Sequence, residues 1–233
     1  MRMNIVVFIV MVTLSGGIVF SAADYRGGNH TEDFNSLKGT GSKISWSDDK
    51  TLNGWHASQS AYQANDGTSK RGALKSYGPK DNKDRALGSM ASGTSGNISY
   101  GLCLTNKTGK AIKSVTVSYT GEQWRHASGT TNALKFTLST DARKIDDDKS
   151  GKWTHVKKLD FNGPHDGGSA DGDALDGNDI ANQVSVSATV TIPGEWKPGA
   201  ALWLRWTDEN EKGYDQGLAI DDLTISTGKE KKK

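Results

Sequence analysis

The chain has 233 residues, with 29 Lys and Arg against 27 Asp and Glu, a formal charge of +2 and a single cysteine. That length accommodates one sizeable β domain. The charge balance excludes a general electrostatic drive toward nucleic acid, and one cysteine excludes an internal disulfide framework.

In chain order, Arg2 supplies a short positive region, residues 5–20 are largely apolar, and Ser21-Ala22-Ala23 offers the small residues a signal peptidase reads. Residues 1–23 are therefore expected to be a signal peptide and the protein to be secreted, with an uncleaved N-terminal anchor as the alternative. Thr13, Ser15, Gly16 and Gly17 weaken the segment as a permanent span. Residues 24–228 are read as one domain, followed by a solvated Lys-rich tail at 229–233.

Strict alternation of apolar and polar residues marks six strands. They carry Ile98, Tyr100, Leu102 and Leu104; Val115, Val117 and Tyr119; Leu134, Phe136 and Leu138; Val184 to Ile192 at every second position; Leu202, Leu204 and Trp206; and the closing stretch 217–226. Shorter candidates lie at 32–37, 44–46, 60–64, 73–77, 86–91 and 159–161. Turn-rich segments separate them, the longest being the Gly- and Asp-rich 163–182. No stretch of a dozen residues has helical periodicity. This pattern predicts an all-β, antiparallel jelly-roll sandwich of two packed sheets. Cys103 alternates with apolar neighbours and reads as a buried, inert thiol.

No metalloprotease His-Glu-x-x-His, paired Cys-x-x-Cys, Gly-x-Ser-x-Gly elbow or phosphate loop is present. The five histidines are dispersed and read as surface or turn residues. The last strand, Gly217-Leu218-Ala219-Ile220-Asp221-Asp222-Leu223, puts one aspartate among apolar side chains on either face unless a bulge intervenes. Glu32 and Asp33 form a second acid pair near the start. If the first and last strands are neighbours, Glu32, Asp33, Asp221 and Asp222 can share a Ca²⁺, which takes six to eight oxygens; capping, bending or pairing with Arg85, Arg125 or Arg205 remains open. The 208–215 loop begins like an EF-hand but has Lys212 at a ligand position and Ala219 where the bidentate Glu belongs, so it reads as an acidic hairpin turn. The Asp166 to Asp179 run reads as a solvated loop.

Trp203 and Arg205 project opposite to Leu202, Leu204 and Trp206, and Trp124 is flanked by Glu122, Gln123 and Arg125. A Trp face beside planar hydrogen-bonding groups grips a sugar ring, whereas a buried Trp under a stacked Arg is purely structural. Both readings stand at this level. Asn29, Asn97 and Asn106 begin glycosylation triplets.

Seven segments in order carry a family resemblance: Glu32-Asp33-Phe34-Asn35-Ser36-Leu37, Gly54-Trp55, Asp84-Arg85-Ala86-Leu87-Gly88-Ser89, Tyr119-Thr120-Gly121-Glu122-Gln123-Trp124-Arg125, Ala174-Leu175-Asp176-Gly177-Asn178, Leu202-Trp203-Leu204-Arg205-Trp206-Thr207-Asp208 and Gly217-Leu218-Ala219-Ile220-Asp221-Asp222. The chain resembles a module of secreted bacterial proteins found before PEP-CTERM-type sorting tails or beside extracellular nuclease and phosphatase domains. Its Lys-rich end departs from that pattern, so soluble release is expected. The closing motif also resembles MAM-like and carbohydrate-binding jelly rolls. That resemblance implies one structural Ca²⁺ held by Glu32 or Asp33 with Asp222. The expected function is thus non-catalytic binding of glycan or another extracellular polymer, by Glu122, Trp124, Arg125, Trp203 and Arg205. The alternatives are a structural or matrix role, or a hydrolase using Glu122 or an Asp as acid–base residue. No nucleic-acid partner is expected, and no membrane span after cleavage.

Overall fold

A computed structural model describes residues 21–127, 132–167 and 172–227. In chain order its strands are β1 (Ala23–Tyr25), β2 (Asn29–Glu32), β3 (Ile44–Ser45), β4 (Trp55–Ala57), β5 (Ala61–Asn65), β6 (Ala73–Tyr77), β7 (Ala86–Met90), β8 (Ile98–Asn106), β9 (Ile112–His126), β10 (Ala133–Ser139), β11 (Thr154–His155), β12 (Phe161–Asn162), β13 (Asp173–Ala174), β14 (Gln183–Trp196), β15 (Ala201–Asp208) and β16 (Gly217–Ser226). Among the described residues only two short 3₁₀ turns, Lys157–Leu159 and Ile180–Asn182, are helical. None of these is long and apolar enough to cross a membrane.

The strands form two sheets, as the alternation predicts. The first runs β1-β8-β15-β10-β11, with β4 beside β8 and β12 beside β10. The second runs β13-β9-β16-β7-β6-β5-β3, with β14 beside β9 and β2 beside β16. Pairing is antiparallel, as expected for such a sandwich, except at β1–β8 and β5–β6, which are parallel. β2 lies against β16, with Glu32 opposite Leu223 and Asn29 opposite Ser226. The opening and closing strands are therefore neighbours.

Leu102, Leu104, Leu134, Phe136, Leu204 and Trp206 face Val115, Val117, Tyr119, Ile220, Leu223 and Ile225 in one continuous core. Trp55 stacks on Trp206 with centroids 5.9 Å apart, and Phe34, Tyr119 and Phe136 meet this pair edge-on. Offset and edge-on ring packing adds to the burial these large side chains already provide.

Residues 32–37 are a strand end followed by a turn rather than a strand. Phe34 has a φ of 53°, and the Leu37 amide donates to its carbonyl. That left-handed residue swings the Phe34 ring into the core, which period-two counting does not foresee. The 159–161 candidate divides between a 3₁₀ turn and β12. Asn106 is buried, with its side-chain amide donating to the carbonyls of Lys110 and Trp196, so its triplet is closed to glycosylation; Asn29 and Asn97 are exposed. The expected cleavage point after Ala23 falls inside β1, where Ala23 pairs with Leu104. Residues 1–20 and the 229–233 tail lie outside the described residues.

Candidate functional site

The outer face of the first sheet carries Trp203, Arg205 and Cys103, and residues 140–153 cover it. Trp203 is 1% exposed and packs with Cys103, Ala142 and Ile145. The Arg205 guanidinium lies 3.8 Å over the Trp153 ring, and it donates to the Ile145 carbonyl, Thr137 Oγ1 and Asp148 Oδ1. Trp203 and Arg205, expected to contact sugar, are buried here and fasten a loop to a sheet. Burial also pushes the Cys103 thiol far above its usual range, consistent with inert packing.

On the outer face of the second sheet, one half is likewise covered. Trp124 stacks on Tyr77 at 5.6 Å and 9°, and its Nε1 donates to Glu122 Oε2 at 2.9 Å. Gln183 Nε2 donates to the other Glu122 oxygen. A Cβ on Gly177 would lie 2.2 Å from Trp124 Nε1, so only glycine lets this loop rest against the indole. Arg125 donates to the carbonyls of Gly67 and Gly172, pinning loops from both flanks. Beneath the same cover Lys75 donates to Gln63, and burial, aided by Arg71 and Arg125, pushes its amine down to about 7. Glu122, Trp124 and Arg125 thus form the floor of a loop-covered layer; Trp124 also reaches a depression of about 300 Å³ beside Asp66, Pro79 and Asp176.

The acids of the last strand separate at a β-bulge. Asp221 pairs with Thr120 and Thr224 with Ser118, three steps on β16 against two on β9. Asp222 supplies the extra residue at a φ of 49°, and its amide donates to Asp221 Oδ1 at 2.7 Å. The bulge keeps Leu218, Ile220, Leu223 and Ile225 on the core face and turns Asp221 outward beside Ala219. Burial, then Glu122, Asp222 and Asp84, pushes Asp221 up to about 9. Burial, with Asp84 and Asp222 against the opposing bonds from Trp124 and Gln183, pushes Glu122 up to about 7. Glu32, Asp33 and Asp222 border an open depression of about 290 Å³ that Asp221 does not reach. Glu32 Oε1 accepts from the Phe34 amide and Asp33 Oδ1 from the Asn35 amide. Among the described residues no three acidic, His or Cys side chains are grouped to hold a metal ion. Of the four acids expected to share a Ca²⁺, the bulge turns Asp221 away, while Glu32, Asp33 and Asp222 border one depression, with one oxygen each of Glu32 and Asp33 accepting from a local amide.

A different place combines an exposed ring with polar groups. Residues 209–216 join β15 to β16 at one end of the sandwich, and Tyr214 there is 53% exposed. Tyr214, Asn210, Asp215, Lys70, Ser92 and Arg125 border a depression of about 230 Å³. Asn132 Nδ2 donates to Glu211 Oε2 and Asp215 Oδ1, and its Oδ1 accepts from the Gln216 amide. The Asn210 amide donates to Asn97 Oδ1. Underneath, Asp208 Oδ2 accepts from Ser89 Oγ and the Ala91 amide, tying the two sheets together. Burial, then Asp215 and Glu211, pushes Asp208 up to about 8, so it is mostly protonated at neutral pH. Burial also raises Glu211 and Asp215. The sequence pattern reads this loop as a hairpin turn and no more. The one signal it holds is Tyr214 itself, a large ring in a run of short polar residues.

No family model and no curated protein matches the chain. Solved structures resemble it as folds. The C-terminal family 22 carbohydrate-binding module of Clostridium thermocellum Xyn10B aligns with 84% of this chain and 96% of its own, at 10% identity and a TM-score of 0.40. The family 11 carbohydrate-binding module from C. thermocellum, solved with a mixed-linked β-1,3-1,4 tetrasaccharide, aligns with 79% and 95%, at 10% identity and 0.38. For the C. thermocellum xylanase 10B CBM22-1-GH10 structure, solved with xylohexaose, the match covers 77% of this chain, 27% of the other, at 11% identity and 0.38. At low sequence identity, the chain is structurally similar to carbohydrate-binding-module β-sandwiches.

Proposed function

We propose that the chain acts outside the cytoplasm as a non-catalytic module that binds glycan in the loop-end cleft around Tyr214. The observation that carries this reading is the combination of an exposed aromatic face with amide, carboxylate and cationic side chains around one depression. A ring presents an apolar surface to the C–H face of a sugar, and planar polar groups bond its hydroxyls. The side chains of Asn132 and Asn97 accept from the Gln216 and Asn210 amides and hold the cleft's backbone in place, which lowers the ordering cost of binding.

The hydrolase alternative is disfavoured at Glu122. Both of its oxygens already accept hydrogen bonds and the residue is 2% exposed; an acid–base residue must reach the proton it transfers. The test is affinity electrophoresis or calorimetry against a panel of soluble polysaccharides. Tyr214→Ala is expected to weaken binding about tenfold or more with unchanged thermal stability, as for the loss of one stacking aromatic. Unchanged binding in Tyr214→Ala would refute the cleft as the site.

A further inference from the structure

Beyond the Asp221–Asp222 bulge, the outer face of the second sheet changes character. There β2, β16, β9 and β14 lie side by side, and among the described residues no loop covers their outward Ser and Thr, which are exposed or half-buried. Thr31 is opposite Thr224, Thr224 opposite Ser118, and Ser118 opposite Ser187, so one row of hydroxyls crosses four strands. A neighbouring row joins Thr116 to Thr189, and Ser and Thr continue along β9 and β14 on either side. Two contacts are already set, Thr116 Oγ1 to Thr189 Oγ1 and Ser118 Oγ to Ser187 Oγ, both 2.8 Å.

Sheet geometry fixes the lattice. Hydroxyls repeat about every 4.8 Å across the strands and about every 6.7 Å along them. The short side chains keep the field level, and the branched threonines have few rotamers to lose on binding. Among the described residues charges border the field at both ends: the exposed Lys113–Glu195 pair at one, and Glu32, Asp33 and Asp222 at the other, where they line a depression together with Thr31 and Thr224. Solvent-facing sheet surfaces and edges ordinarily carry Lys and Glu to stay soluble and unpaired. An uncharged field offers nothing to an anionic glycan, and without large apolar anchors it offers little to a protein partner. Each hydroxyl has one donor and two acceptor positions, so each bonded pair keeps both donor and acceptor capacity for a ligand.

We infer that this hydroxyl field is a second binding surface, distinct from the Tyr214 cleft, for the flat face of a packed, uncharged polysaccharide. Such a face is itself a periodic array of hydroxyls, each both donor and acceptor, and it meets several rows at once where a single soluble chain meets one. The two sites therefore differ in what they take: the cleft a free chain end or loop, the field a solid surface.

The experiment is a pull-down on microcrystalline cellulose and on chitin, run beside the soluble-glycan assay. The variants are the Ser187→Lys/Thr189→Lys double substitution, the isosteric Thr189→Val, and Tyr214→Ala. Retention of the native chain on at least one solid is expected, reduced about tenfold by the double substitution. Its soluble-glycan binding and melting temperature should be unchanged. Thr189→Val keeps the shape while removing one hydroxyl, and should give a smaller loss in the same direction; it carries the test alone if the lysines unsettle the strand. Equal retention of these variants and the native chain, or no retention on either solid, overturns the inference. So does retention that only Tyr214→Ala abolishes, adsorption to ice with none to polysaccharide, or a dimer in sedimentation that the lysines dissociate. If Tyr214→Ala leaves soluble binding intact while the lysine variant loses the solids, the cleft reading fails and this one stands.

Discussion

Asp208→Asn tests the interior electrostatics most sharply. The Asp208 carboxyl is fully enclosed; one oxygen accepts from Ser89 Oγ and the Ala91 amide, and the other has no partner among the described residues. Its pKa rises from 3.8 to about 8. A carboxyl with a raised folded-state pKa is bound as the neutral form, so its contribution is intact below the unfolded value and lost as pH climbs through the folded value. The window is thus about pH 4 to 8. Each tenfold change in proton affinity corresponds to about 1.4 kcal/mol, which bounds the loss across the window at roughly 6 kcal/mol. Relaxation and water entry around a buried charge reduce such figures, and roughly 2–3 kcal/mol is expected. An Asn keeps the carbonyl for Ser89 and Ala91 and cannot ionise. Urea unfolding at pH 5 and pH 9 should therefore show the variant close to the native chain at the lower pH and gaining roughly 2–3 kcal/mol on it at the higher. Other titrating groups are common to both proteins and cancel in the difference. An offset that is the same at both pH values would refute the buried, neutral assignment.

Two further outcomes concern residues that the sequence pattern singles out. Trp203→Ala should cost about 3–5 kcal/mol of stability in urea unfolding, the usual range for emptying a large aromatic from a packed site; normal stability with lost glycan binding would return Trp203 to the binding surface. Because Asp221 turns away from the depression that Glu32, Asp33 and Asp222 border, and no three ligating side chains are grouped among the described residues, EDTA should leave the melting temperature unchanged. A fall of several degrees, reversed by Ca²⁺, would show a resident cation, since a ligand bound only to the folded state raises its stability.

Much of the architecture was legible because a β-strand has a period of two. The alternations at 98–104, 115–119, 134–138, 184–192, 202–206 and 217–226 each correspond to an observed strand. The adjacency of first and last strands, on which the shared-cation expectation for the acid pairs at 32–33 and 221–222 depended, is present as the pairing of β2 with β16. Alternation assigns a residue to a face but is silent on what lies over that face. Trp203 and Arg205 do project away from the core, as the pattern requires, yet the 140–153 loop folds over them. Trp124 is likewise outward on β9 and covered by the loop that Gly177 admits.

What the sequence by itself determined was therefore the local periodicity: the strands, their faces, and a single two-sheet core. What only the tertiary structure decided was access. A left-handed residue at Phe34 or Asp222 redirects side chains without changing composition. Loop closure over a sheet depends on contacts between residues far apart in the chain, such as Trp153 with Arg205. The hydroxyl field belongs to the same class, since four strands distant in sequence must align in register before scattered Ser and Thr become one surface.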